Sequence, residues 1–230
     1  MERVIEFDLA ERSVRELNAF LHRPAAELAG LKVRVKHPQG KHNIAVGVNA
    51  ELDIEIEGDA GYFVAGMNQR ARVTIQGNVG RSVAENLMSG QVRVRGSASE
   101  SAGASMHGGL LAIEGDAGSR CGISLKGGEI VVGGNVGHMS AFMAQAGTIV
   151  ICGDAGAGLG DSLYEAVIYV KGAIAYLGAD ARQEPMSEAD LIRVGRLLDQ
   201  SGFRHDPRAF KRVASARTLY HWNSEVHQEY

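Results

Sequence analysis

Eight histidines and two cysteines are the side chains of this 230-residue sequence best able to ligate a metal or attack a substrate. The histidines are His22, His37, His42, His107, His138, His205, His221 and His227, and no pair has the helical spacing with an intervening base that a zinc hydrolase uses. His37 and His42 flank a glycine loop, HPQGKHN, which reads as a surface loop, with a ligand or partner role as the alternative. Cys121 and Cys152 form no C-x-x-C pair, so the thiolates of an iron–sulfur or structural zinc site are missing from this chain. Both cysteines read as small structural residues, because no activating base stands beside either in the sequence. The segment GDAGAGLGD (153–161) has closely spaced glycines, but a dinucleotide site needs a strand before them and a helix after. Here another copy of a repeat follows instead. Arg208, Lys211, Arg212 and Arg217 form a basic cluster that fits the solvated face of a capping helix, or a docking site for an acidic partner. The residues thus nominate no catalytic, cofactor-binding or metal-binding side chain.

The bulk properties exclude further classes. A net charge of −3 without long single-sign blocks argues against a nucleic-acid binder and against a polybasic membrane anchor. No apolar run approaches the roughly 18–20 residues that span a bilayer. The opening MERVIEFDLAERS carries charges where a signal peptide needs an apolar core, so the cytoplasm is the expected location. Two cysteines fit a reducing compartment. The unusual figure is 30 glycines in 230 residues, nearly twice the usual ~7%.

Those glycines are placed. Gly58, Gly77, Gly96, Gly115, Gly134, Gly153 and Gly172 recur at intervals of 19 residues without insertion or deletion. Four residues before each stands Ile54, Val73, Val92, Leu111, Ile130, Ile149 or Ile168, and two before each stands Ile56, Ile75, Val94, Ile113, Val132, Ile151 or Val170. This alternation predicts a short strand with one buried face. After each glycine comes a turn residue: Asp59, Asn78, Ser97, Asp116, Asn135, Asp154 and finally Ala173. No two aspartates are neighbours in that column, as an in-register stack at about 4.8 Å would require. The other half of the repeat is looser, with inward columns such as Val64, Val83, Ala102, Cys121, Ser140, Leu159 and Asn68, Leu87, Met106, Leu125, Ala144, Leu163. The frame extends back to Asn43–Val48, aligned with Tyr62–Met67. A 19-residue unit is too short for a helix pair, which needs about 33 residues. It predicts an all-β fold, a right-handed parallel β-helix of about seven single-strand coils with glycine turns.

Both ends need covers. The division is an N-terminal strand and helix cap over 1–39, the solenoid over 40–178, and a helical and extended tail over 179–230. Ser13 with Glu16 has capping-box spacing before a helix, and LKVRV (31–35) begins the solenoid. A second helix runs from Ser187 to near Gly202, and a third opens with Asp206 and Pro207. The last stretch, RTLYHWNSEVHQEY, reads as aromatic and extended. The outward strand positions change character along the chain. They are polar early (Glu55, Glu57, Thr74, Gln76, Arg93, Arg95) and apolar or small later (Val131, Gly133, Val150, Cys152, Tyr169). Either the C-terminal helices fold back over the later coils, or a partner docks there. In the second case Val131, Val150, Tyr169, Tyr220 and Trp222 are the docking residues.

The repeat, seen in GGEIVVGGNVG, AGTIVICGDAG and SGQVRVRGSAS, resembles the GXGXG family over about residues 40–178. This is the β-helical domain at the C-terminus of the glutamate synthase large subunit, found also as a separate chain of formylmethanofuran dehydrogenase and related formyltransferase complexes. The tail DPRAFKRVASARTLYHWNSEVHQEY and the early GKHNIAVGV look like the stand-alone glutamate-synthase-like subunit of N-methylglutamate synthase. That resemblance implies a non-catalytic subunit bracing a class II amidotransferase-like subunit and an FMN and iron–sulfur synthase subunit. The assembly would convert methylamine and glutamate to N-methylglutamate and ammonia. FMN and the cluster would sit in a partner, with no cofactor bound by this chain. The alternatives are a subunit of a formyl-transfer complex and a self-sufficient β-helix enzyme.

Overall fold

The computed structural model describes residues 4–217. Eleven strands form one sheet in the order β1-β2-β3-β4-β5-β6-β7-β8-β9-β11-β10. The first nine are β1 (Val4–Asp8), β2 (Lys32–Lys36), β3 (Asp53–Ile56), β4 (Arg72–Ile75), β5 (Gln91–Val94), β6 (Leu110–Ile113), β7 (Lys126–Val132), β8 (Ala146–Ile151) and β9 (Val167–Val170). They pair in parallel, each with the next along the chain. From β3 to β9 strand residues lie beside those 19 later, as Ile54, Val73, Val92, Leu111, Ile130, Ile149 and Ile168 do, with one shift at Lys126, which pairs with Ala146. The chain is a parallel β-solenoid, and the alternating strand residues close a continuous core: Ile54, Ile130, Val132 and Ile149 are at most 1% exposed.

The turn column holds the coils in register. The side-chain oxygen of each turn residue accepts a hydrogen bond from the backbone N–H of its counterpart in the next coil. Asn78 N–H donates to Asp59 Oδ1 at 2.7 Å, Ser97 N–H to Asn78 Oδ1 at 2.9 Å, and Asp116 N–H to Ser97 Oγ at 3.1 Å. Asn135 N–H donates to Asp116 at 2.6 Å, Asp154 N–H to Asn135 at 2.8 Å and Ala173 N–H to Asp154 at 2.7 Å. The same oxygens explain the glycine column. A Cβ at Gly115 would lie 2.4 Å from Ser97 Oγ, and one at Gly134 would lie 2.2 Å from Asp116 Oδ1. These glycines are required by space. Positive φ belongs instead to Gly58, which begins the column, and to the corner at Gly90, Gly109, Gly128 and Gly147.

A second column of single bridges runs through Ala60, Val79, Ala98, Ala117, Val136, Ala155 and Ile174. The looser half of the repeat is not a strand. It alternates in handedness, with positive φ at every second residue, as in Phe63, Ala65 and Met67 or Ser82, Ala84 and Asn86. Within this segment every second N–H donates, and the donors at Phe63, Ala65, Met67 and Gln69 address the next and the previous coil in turn. Phe63 N–H donates to Arg81 O in the next coil (2.9 Å), and Ala65 N–H to Ile44 O in the previous one (3.0 Å). Left-handed residues other than glycine cost about 1–2 kcal/mol each, and the two-sided ladder offsets that cost. The middle position stays small (Ala65, Ala84, Gly103, Gly122, Ala141, Gly160) because a Cβ at Gly122 would already meet Ile149 Cδ1 at 2.5 Å.

One alignment from the sequence shifts. Asn43 N–H bonds Tyr62 O as Phe63 N–H bonds Arg81 O, so Asn43 is the counterpart of Phe63, one residue beyond the regular frame. The frame is also wider between β2 and β3, where Val33 pairs with Ile54. The buried Asn68 belongs to this irregular junction: its Oδ1 accepts the N–H of Val48 at 2.7 Å.

At the N-terminal end, α1 (Val14–Leu21) starts from the Ser13–Glu16 capping box, and Leu17 and Leu21 cover the first coil. A short α2 (Ala25–Leu28) follows, and VIEF becomes β1, the outermost strand. At the other end, β10 (Ala181–Glu184) precedes α3 (Glu188–Ser201), which ends at Gly202 in the left-handed conformation. The expected third helix is corrected. Asp206 caps only a three-residue turn, Pro207–Ala209, and the chain then forms β11 (Lys211–Ser215). β11 lies antiparallel between β9 and β10, because the open edge of β9 supplies backbone partners that an isolated short helix lacks. Among the described residues no helix is long and apolar enough to cross a membrane.

The ladder makes a direct prediction. Gly115→Ala should lower the unfolding free energy by roughly 1–3 kcal/mol, and Ser97→Ala by about 1 kcal/mol. The double variant should lose less than the sum by at least about 0.5 kcal/mol, since removing the hydroxyl clears space for the added methyl. Urea unfolding of the four proteins measures this, and strictly additive losses would contradict it.

Candidate interaction face and the helix that covers it

The outer face of the sheet divides in two. Over the early coils its charged residues pair among themselves: Lys36 with Glu6 at 2.9 Å, Arg34 with Glu57 at 3.0 Å, and Arg72 with Asp53 at 2.6 Å. Such exposed pairs contribute about 0–1 kcal/mol each and mainly keep the face polar.

Over the later coils the face is apolar and α3 lies on it. Val131, Val150, Cys152 and Tyr169 pack with Val194, Leu197, Leu198 and Phe210 in a second core. Val131, Val150 and Tyr169 are 0% exposed. Of the two readings of this strip, the structure shows the first: the chain's own helix lies on it, with Val131, Val150 and Tyr169 beneath. Burying each large side chain contributes about 1.5–3 kcal/mol, an upper value because unfolded chains already shield part of that area. Gly133 belongs to the same contact, since a Cβ there would stand 2.8 Å from the Phe203 ring. Tyr220 and Trp222, with His221, His227 and most of the aromatic tail, lie outside the described residues.

Polar contacts fix α3 at three places along its length. At its N-terminus, Asp190 closes the capping box with Ser187, accepting the Ser187 N–H at 2.8 Å and its hydroxyl at 2.6 Å. The Tyr169 hydroxyl donates to the other Asp190 oxygen at 2.5 Å. Arg212 Nε stands 3.4 Å from Asp190, and its guanidinium also pairs with Glu184. Midway, Arg196 pairs with Glu129 of β7. At the C-terminus, Arg93 of β5 donates to Ser201 O at 2.9 Å and Gln200 O at 3.2 Å, satisfying carbonyls that the helix leaves without partners. Burial pushes the Asp190 carboxyl up, but hydrogen bonds from Ser187 and Tyr169 and the nearby Arg193 outweigh it, leaving it below its ordinary value. Burial and the Asp190 contact push the Tyr169 hydroxyl up to about 12.

Sequence reading missed Asp190 and Arg93. The S-x-x-D spacing of Ser187 and Asp190 was a legible signal for the first. Nothing local distinguishes Arg93 from Arg95.

The chemical candidates take structural places. His37 Nδ1 stands 2.8 Å from Asp8 Oδ1, and that hydrogen bond is the main cause holding Asp8 below its usual value. His42 Nδ1 accepts the Tyr62 N–H at 3.1 Å while its ring stacks on Tyr62 at 3.8 Å between centroids. His22 Nε2 stands 2.7 Å from Val46 O at the end of α1. His205 lies edge-on to Phe210, and burial first, then Lys171, lower its pKa. The basic cluster is also engaged, with Arg217 on Asp180, Arg208 near Asp206 and Lys211 on Gly172 O. In the glycine-rich segment 153–161, Gly153 and Asp154 belong to the ladder, and no helix follows before α3. Among the described residues no group of three His, Cys, Asp or Glu could hold a metal ion. A polar groove of about 820 Å³ separates α3 from the corner glycines, bordered by Arg193, Arg196, Gln200, Glu129 and Glu165.

Two outcomes are expected. Tyr169→Phe should cost roughly 1–3 kcal/mol at neutral pH. Asp190 is lowered in the folded state, so its contribution is complete above the ordinary aspartate value of 3.8 and fades as pH falls through the lower folded value. The gap between parent and variant in urea unfolding should accordingly narrow in acid; a gap independent of pH would contradict the assignment. Burial also raises the thiols, Cys121 to about 12 and Cys152 to about 11. Both should resist iodoacetamide at pH 8 until the protein is denatured, and prompt native labelling of Cys152 would show that α3 does not close over it.

No family model matches the chain. The protein named GlxC of Rhizobium meliloti (strain 1021) is 48% identical over 217 residues, which is 94% of this chain and 95% of that protein. A chain of the formyltransferase/hydrolase complex (FhcABCD) from Methylorubrum extorquens, solved in complex with methylofuran, aligns with a TM-score of 0.61. That alignment covers 94% of this chain and 74% of the other at 19% identity, a likeness of fold. The near full-length identity with GlxC decides the relationship: the chain belongs to the GlxC family.

Proposed function

We propose that this chain is a non-catalytic structural subunit of a multi-subunit, glutamate-synthase-like enzyme, N-methylglutamate synthase. In this reading the chain is a GXGXG-type solenoid, with the N-terminal cap over 1–39, the solenoid over 40–178 and the closing tail over 179–230. It braces a class II amidotransferase-like subunit and an FMN and iron–sulfur subunit in the cytoplasm. The partners hold the cofactors and form N-methylglutamate from methylamine and glutamate.

The observation that carries the reading is the employment of its reactive side chains. Both thiols are buried and raised, and His22, His37 and His42 are each hydrogen-bonded within the fold. A rigid, repetitive body suits a brace. The resemblance of the repeat and tail supplies the choice of enzyme. A second reading, a subunit of a formyl-transfer complex, draws on the fold shared with a chain of the formyltransferase/hydrolase complex.

Purification of the native assembly under mild conditions tests both. The first reading expects co-elution with an amidotransferase-like chain and a flavin and iron–sulfur chain, and N-methylglutamate formation by the assembly alone. Formyl transfer by the assembly would favour the second reading. Turnover by the isolated chain would overturn both.

A further inference from the structure

No further inference is drawn: the strongest candidate, the polar groove between α3 and the corner glycines Gly90, Gly109, Gly128 and Gly147, has Arg196 already paired with its own Glu129, and nothing in the structure shows what would occupy it.

Discussion

One hydrogen bond, repeated once per coil, governs this molecule: a turn side chain accepts the backbone N–H of its counterpart in the next coil. The bond needs a short acceptor, which selects Asp, Asn or Ser. It also places that acceptor where the next coil's glycine would carry its Cβ, which selects glycine. Register, composition and period follow from the one contact. An inserted residue would slip the ladder, and between Gly58 and Gly172 the frame carries none. Neutral acceptors between Asp59, Asp116 and Asp154 keep carboxylates from stacking directly on one another.

The remaining faces meet the same demand for satisfied backbone groups by other means. The strands do it through ordinary parallel pairing. The third side alternates left- and right-handed residues so that one segment donates to both neighbours. The outer sheet face is finished in two ways, by mutual ion pairs early and by α3 late. Arg93 sits at the boundary and belongs to both regimes, pairing with Glu114 at 3.2 Å and capping α3.

The repeat period, the strand columns and the stacked turn were legible because each is a local pattern copied seven times. The position of α3 was legible as a possibility, since Val131, Val150 and Tyr169 are too apolar for a solvated face. Other features were hidden for physical reasons. The alternating turn gives no signal in sequence, because left-handed positions such as Ala65 and Ser82 are not held by the glycine or asparagine that usually marks positive φ. β11 reads as a capped helix from Asp206 and Pro207, and only the open edge of β9 decides otherwise. The displaced counterpart of Asn43 falls outside the regular frame, where one copy cannot be averaged against others. No local pattern in the sequence announces the contacts of His37 with Asp8 and of His42 with the Tyr62 N–H, because both partners come from other parts of the chain.

A scaffold reading of function rests on rigidity, and rigidity rests on the turn ladder. Native-state amide hydrogen exchange on the full chain tests it most directly. Asn78, Ser97, Asp116, Asn135 and Asp154 are turn residues at the surface, where free amides exchange quickly. The account predicts protection of their N–H groups comparable to that of the adjoining strands, at Ile75, Val94 and Ile113. Exchange at the rate of unbonded surface turns, with the strands still protected, would contradict it.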